Sequence, residues 1–231
     1  MYIVALTGNI GSGKSYIADK LNRYLLKNGV KSIILPFALP LKKSVKYIYS
    51  IYGLSEPKFN FNRLMKFINL TLSKHYKIDD TIAKEIITKF YNLNLHNEKD
   101  ERIIIQKFGT ELMRSFDENI WINLWKAELN QFINDDICVI VDDLRFINEY
   151  NTLKTYKNVK TIRVIRPLNK ILKSLNITKS KYKTYLSHQS EQELANIKTD
   201  FVIENNETNN DEIDDIFYLV LEDIIWSDIY G

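Results

Sequence analysis

Gly8-Asn9-Ile10-Gly11-Ser12-Gly13-Lys14-Ser15 is the segment whose residue types and spacing most directly imply chemistry, because it satisfies G-x-x-x-x-G-K-[ST] at every position. Glycines let successive backbone N–H groups converge on phosphate oxygens, and the start of a helix adds the positive end of its dipole. A lysine at the seventh position places a point charge at the β/γ-phosphates. The Ser15 hydroxyl is a hard oxygen donor suited to Mg²⁺. Gly8, Asn9, Gly11, Ser12, Gly13, Lys14 and Ser15 are therefore expected to bind a nucleoside triphosphate with Mg²⁺. The bland alternative, a glycine-rich turn beside a chance lysine, fits poorly with the apolar strand before the motif and the amphipathic helix after it. The motif leaves the fate of the γ-phosphate open.

A second site candidate follows the apolar run Ile137–Val141, which leads straight into Asp142-Asp143-Leu144-Arg145. In open α/β sheets ligands sit outside the carboxyl ends of the strands. Two carboxylates there are placed to hold Mg²⁺ through water or to orient an acceptor group. Asp142 joins Ser15 as a metal candidate, and Asp143 joins Lys14 as a catalytic one. A capped turn is the competing reading, since Asp commonly starts helices. Further back, Arg102, Gln106 and Gly109 recur at i, i+4 and i+7, one face of a helix, with Ile103-Ile104-Ile105 expected as its buried side. Thr110, Arg114, Asp117 and Trp121 come next. Such a stripe suits a phosphate and the edge of a base, and it equally suits a solvated face with ordinary ion pairs.

The elements that must position these groups alternate. Tyr2–Leu6 reads as a strand, Ser15–Lys27 as a helix ended by Gly29, and Ser32–Phe37 as a second strand. From Leu41 to about Ile133 the pattern is helical, with breaks near Gly53–Pro57, near Leu95–Asp100 and at Gly109. Ile137–Val141, Lys160–Ile165 and Phe201–Ile203 read as buried strands, and Glu212–Ile225 as a closing helix. Five buried strands joined by helices imply an α/β fold with a five-stranded parallel sheet covered on both faces. The expected division is a core of 1–37, 134–166 and 198–231, a helical lobe of 38–133 and a segment 167–190 over the site. The Asn-rich stretch Glu204–Asp211 reads as a surface loop, and Asn205 at its head is added to the nucleotide-binding candidates.

Composition narrows the class. With 231 residues, 45% hydrophobic and 26% charged, the chain is long enough for a real core, and disorder, collagen and coiled coil are poor fits. A formal charge of +3 does not suggest a nucleic-acid coat or a membrane-surface binder. Cys138 is the only cysteine, so an internal disulfide and a cysteine metal cluster are excluded; inside its apolar run it reads as a small buried hydrophobe. No apolar run approaches the ~20 residues of a membrane span, and the N-terminus does not read as a signal peptide. A cytoplasmic setting is expected, the host's if the source is viral. His75 and His96 lack metal-ligand spacing.

Taken in order along the chain, these segments resemble the phage-type deoxynucleoside monophosphate kinases of the P-loop NMP-kinase group. The matching pieces are Ala5–Ser15; Phe37-Ala-Leu-Pro-Leu-Lys42; Arg102-x-x-x-Gln106-x-x-Gly109-Thr110-Glu111-x-x-Arg114; Asp117-x-x-x-Trp121; Asp143-x-Arg145; Arg163-Val-Ile-Arg-Pro167; and His188-x-Ser190-Glu191. The phosphate loop is highly specific, the Arg-Gln-Gly-Thr and Asp-x-Arg segments moderately so, and the last is weak. The resemblance implies a three-layer α/β/α P-loop kinase fold with an NMP-binding helical insertion and a lid, and transfer of the ATP γ-phosphate to a dNMP with Mg²⁺. Phe37 and Lys42 would line the monophosphate pocket; Arg102, Gln106, Arg114 and Trp121 would bind phosphate and base. Asp143 and Arg145 would sit at the transfer point. Asn169–His188 would be a lid carrying Lys179, Lys181 and Lys183, with His188 a hinge or a structural histidine. Its expected partner is a small nucleotide, with neither nucleic acid nor membrane, and dimers are common in the family. Two departures stand out: Ser55–Lys99 matches no family segment, and no arginine follows Arg166, although lid arginines usually neutralise charge in such kinases; either Arg163 or Arg166 would substitute, or the lysines would suffice at lower efficiency.

Rivals share the fold or the loop. The loop also resembles that of dephospho-CoA kinases, but those carry Asp-x-Asp where this chain has Phe37-Ala-Leu-Pro40. Phosphomevalonate kinase is another option of the same fold. A GTPase switch would need Asn-Lys-x-Asp and a transporter ATPase Leu-Ser-Gly-Gly, and neither occurs. A non-catalytic ATP-binding scaffold is the remaining class.

Overall fold

The computed structural model describes residues 1–50, 57–187, 189–206 and 210–230. The break expected at Gly53–Pro57 falls mostly, and His188 wholly, outside the described residues. Two compact units form, Met1–Phe37 with Leu129–Gly231, and Ala38–Glu128; the segment expected as a lid belongs to the first.

In the first unit, five strands form one parallel sheet: β1 (Tyr2–Thr7), β2 (Ser32–Ile34), β3 (Cys138–Val141), β4 (Val159–Ile165) and β5 (Phe201–Glu204), in the order β2-β3-β1-β4-β5. The sequence alternates these with α1 (Lys14–Lys27) and, in the second unit, α2 (Leu39–Tyr49), α3 (Phe61–Lys66), α4 (Asp80–Asn92), α5 (Glu101–Gln106), α6 (Arg114–Phe116) and α7 (Ile120–Leu129, its last residue in the first unit). The first unit resumes with α8 (Ile147–Leu153), α9 (Leu168–Leu175), α10 (Lys179–Leu186), α11 (Gln189–Gln192) and α12 (Asn210–Tyr230). Successive side chains on a strand point to opposite faces. Tyr2, Val4 and Leu6 pack with Ile17, Leu21 and Leu25 of α1 and Phe217 and Val220 of α12. Ile3, Ala5, Val139 and Val141 face the other way and are fully buried as well. Both faces are therefore covered, and the fold is the expected three-layer α/β/α arrangement. β1 lies between β3 and β4, so the chain switches direction around the carboxyl end of β1, where a crevice opens in such sheets.

Local chemistry explains the boundaries. Strand two ends earlier than its apolar run suggested: Leu35 still donates to the Ile140 carbonyl (2.8 Å), but Pro36 has no N–H to continue the ladder. Helix α1 closes as expected. Val30 N–H donates to the Leu25 carbonyl (3.0 Å), and Gly29 takes a φ of 81° with nothing within 4 Å of a Cβ built there. The closing helix is longer than expected, running Asn210–Tyr230.

The second unit has its own core, built on Leu64, Phe67, Phe90, Ile104, Phe108, Leu112 and Trp121. Gly109 does not break the helix there. The chain passes through it as a wide π-helical stretch, Lys107–Met113. A Cβ on Gly109 would lie 2.5 Å from Leu41 Cδ2, so the residue is small because α2 packs against it. The continuous stripe through Gly109 is corrected accordingly: Arg102 and Gln106 share α5, while the widened turns carry Gly109 onto the packed side. Nor do Ile103-Ile104-Ile105 form one buried side. Ile104 is fully buried and Ile103 is 37% exposed, because three consecutive helical residues fan around most of the helix. Gly109→Ala is expected to cost about 1–3 kcal/mol by overpacking, and Leu41→Ala in the same chain should relieve part of that cost; a urea-unfolding cycle of the two checks the coupling.

Candidate active site

The phosphate loop leaves the end of β1 and enters α1, and its shape is held from outside. Val164 of β4, Ile171 and Leu175 of α9 and Asn205 all press on it. A Cβ on Gly8 would lie 2.2 Å from the Val164 carbonyl oxygen, one on Gly11 2.8 Å from Ile171, and one on Gly13 2.1 Å from Asn205 Nδ2. Asn205 is 5% exposed, and its Nδ2 donates to the Ser12 carbonyl (2.9 Å). This bond ties the residue after β5 to the loop that it was expected to serve.

Lys14 is buried, and its Nζ donates to the carbonyls of Gly8 (2.6 Å) and Asn9 (3.1 Å). Burial pulls its pKa down to about 8, the Arg145 charge pulls the same way, and Glu191, Asp143 and Asp142 oppose them. Ser15 Oγ donates to Asp142 Oδ2 at 2.6 Å, so the loop hydroxyl and the carboxylate at the end of β3 converge on one point. Two hard oxygen donors at the loop's edge fit Mg²⁺, which keeps waters and takes phosphate oxygens to complete its shell. Among the described residues, Thr7 Oγ1 and Ser12 Oγ are buried with no hydrogen-bond partner, and such oxygens are the kind that a polar ligand satisfies.

The rest of the β3 turn is also used. Asp143 Oδ1 accepts from the Phe37 N–H (2.7 Å), which ties the end of the second-strand segment to the site; Phe37 itself is 2% exposed. Glu149 at the start of α8 accepts from the backbone N–H groups of Arg145 (2.9 Å) and Phe146 (3.1 Å), fixing the turn that carries Arg145. The Arg145 guanidinium meets Glu191 at 2.5 Å. Tyr182 of α10 donates to the Ile10 carbonyl (3.3 Å), and Glu191 Oε2 accepts from the Ile10 N–H (2.9 Å). Arg163, one proposed substitute for lid arginines, donates through Nη2 to the carbonyls of Leu194 (3.0 Å) and Ile197 (2.6 Å) and so braces a turn. Lys179, Lys181 and Lys183 are exposed on α10. Glu149, Tyr182 and the contacts of Glu191 were not foreseen. Glu149 had a local signal, an acid three residues after the helix start; the others depend on long-range packing.

In the second unit, Lys42, Arg102 and Gln106 are exposed and Arg114 is half-buried. Trp121 sits differently. It is 4% exposed, its ring lies 6.2 Å from that of Phe108, and its indole N–H donates to the Gly109 carbonyl (2.9 Å). This is a core position that holds the π-helical stretch in shape, and the only polar atom of the side chain is already engaged. Asp117, also in the matched segment, accepts from Tyr76 Oη (2.6 Å) and from the Asn119 N–H (2.9 Å).

The sequence matches no protein-family model and no curated protein. Among solved structures the chain is similar to a shikimate kinase from Bacteroides thetaiotaomicron (TM-score 0.43, 11% identity, 96% of this chain and 97% of that one). It is also similar to an APS kinase from Mycobacterium tuberculosis (TM-score 0.39, 12% identity, 96% of each chain) and to a sugar kinase from Janibacter sp. HTCC2649 (TM-score 0.39, 10% identity, 96% and 95%). Likenesses this low carry no argument about substrate or reaction. Among the described residues no helix is long and apolar enough to cross a membrane.

Proposed function

We propose that the protein is an ATP- and Mg²⁺-dependent kinase that transfers the γ-phosphate to a deoxynucleoside monophosphate. The observation that carries this reading is the meeting of Ser15 with Asp142 at 2.6 Å, on a loop that also holds Lys14 buried among Arg145, Asp143 and Glu191. Hydroxyl, strand-end carboxylate and buried lysine together form the part list for gripping a triphosphate. The choice of dNMP as acceptor rests on the ordered segments Phe37–Lys42, Arg102–Arg114 and Asp143–Arg145.

Phosphoryl transfer needs positioning and charge neutralisation more than a strong base. When bound, Mg²⁺ would neutralise charge on the β- and γ-oxygens, with Ser15 and Asp142 holding it. Lys14 supplies a cation at the loop and Arg145 a second one. Asp143 orients the acceptor side by holding the Phe37 backbone; a monophosphate is already ionised at pH 7, so a general base is optional. Lys42, Arg102, Gln106 and Arg114 supply the polar groups for the acceptor. The lid segment, packed on Gly11 and Ile10, limits the access of water.

The test is ADP formation by purified protein with ATP·Mg and a panel of dNMPs, dephospho-CoA and phosphomevalonate. ADP that appears only with a dNMP supports the reading, and dependence on another acceptor replaces it with a kinase of that acceptor. Slow hydrolysis indifferent to acceptor indicates a switch, and no ADP a scaffold. Asp142→Asn is expected to lower turnover about 10²-fold and to raise the Mg²⁺ concentration needed for half-maximal rate; a Mg²⁺ titration of rate checks it, and EDTA should abolish turnover in both proteins.

A further inference from the structure

Glu191 reaches the phosphate loop from the far side of the lid segment and uses both carboxylate oxygens. Oε2 accepts from the Ile10 N–H (2.9 Å) and Oε1 from Arg145 Nη1 (2.5 Å). Its side chain is 3% exposed against 31% for Arg145. The same loop residue is gripped a second time, because Tyr182 Oη donates to the Ile10 carbonyl. Both backbone polar groups at the apex of the loop therefore bond to the segment that follows β4. A carboxylate buried this deeply is stable only if its oxygens are paired. Here the pairing joins the two parts that phosphoryl transfer must hold in register, the loop and a cation.

We propose that Glu191 is the positioning residue for this site: one carboxylate locks the apex of the phosphate loop to the guanidinium of Arg145, so that the lid segment aims an arginine of the β3 turn instead of carrying one itself. This accounts for the absence of arginine after Arg166 and for the use of Arg163 on carbonyls of a turn. The charge usually brought by lid arginines comes from Arg145, with its backbone N–H held by Glu149 and its side chain held by Glu191. Arg145 and Lys14 are like charges in one site, and the Glu191 carboxylate, paired with Arg145, lowers the cost of keeping both. The inference rests on the kinase reading for its kinetic consequences and on the two bonds alone for its structural ones.

Glu191→Gln and Glu191→Ala separate the two bonds. The amide oxygen of Gln can still accept from Ile10, but it cannot pair ionically with Arg145. Expected for Glu191→Gln is ATP affinity within about threefold of wild type by calorimetry and kcat down at least tenfold. Glu191→Ala, losing both bonds, should also weaken ATP binding at least tenfold. Because Glu191 acts through Arg145, the double variant Glu191→Gln/Arg145→Ala should be no slower than Arg145→Ala alone. Additive losses in kcat, or full kcat in Glu191→Gln, would overturn the proposal. A wild-type protein that turns over no acceptor defeats the kinase reading instead. The proposal is then decided by the amide spectrum, in which the Ile10 N–H proton should lie downfield in wild type and move upfield in Glu191→Ala; an unmoved signal overturns it.

Discussion

Lys14→Met is expected to lose turnover by about 10³-fold or more and to lose the rise of stability with pH that the buried lysine gives. Lys14 is almost fully buried and its pKa is held at about 8, so the folded state disfavours the ammonium that the unfolded chain keeps to about pH 10.4. Between those values the unfolded chain binds more protons, and stability rises with pH. At pH 7 the charged form costs the fold up to about 3 kcal/mol. The two hydrogen bonds from Nζ to Gly8 and Asn9 come from a charged donor and return about 1.5–3 kcal/mol each, which offsets that cost. The decisive feature is the pH dependence. Wild type should gain stability relative to the variant as pH rises above 8, because wild-type Lys14 then sheds its proton. Thermal unfolding of both proteins from pH 6 to 10 checks it; a difference between the two that does not change with pH would remove the buried charge from the explanation.

Gly8→Ala should be the most damaging single methyl in the first unit. The residue has a φ of 147°, and its Cβ would lie 2.2 Å from a backbone oxygen of Val164, within β4, which is hydrogen-bonded to β1 on one side and β5 on the other. Neither strand can move without breaking sheet pairing, so a loss of about 3–5 kcal/mol is expected. Gly29→Ala is the matched comparison. It also has positive φ, 81°, but no neighbour within 4 Å, so only the left-handed backbone cost of about 1 kcal/mol remains. Urea unfolding of the two variants separates steric from conformational cost, and equal losses would show that the Val164 contact is not what limits position 8.

How much of this could be read from the chain follows from the range over which each feature is written. The phosphate loop is eight consecutive residues between a strand and a helix, so its chemistry and local geometry are stated by neighbours in sequence. Buried strands announce themselves as apolar runs for the same reason, and the covered parallel sheet follows from them. Where an expectation went astray, a neighbour distant in sequence decided the outcome. Gly109 looked like a helix break, but the bulk of Leu41 is what requires a glycine there. Trp121 looked like a ligand-facing aromatic, and its place in the lobe core is set by Phe108 and the Gly109 carbonyl.

Residue types and order thus determined the parallel α/β layering, the anion-gripping loop and the carboxylate waiting at the end of β3, because each is encoded by residues adjacent along the chain. The tertiary structure alone decided that Asn205 braces the loop, that Asp143 holds the Phe37 backbone 106 positions away, and that Glu191 joins Ile10, 181 positions away, to Arg145. A lone carboxylate in a polar segment looks the same whether it faces water or a guanidinium. Only the fold, by removing water from around Glu191, turns it into a directed bond.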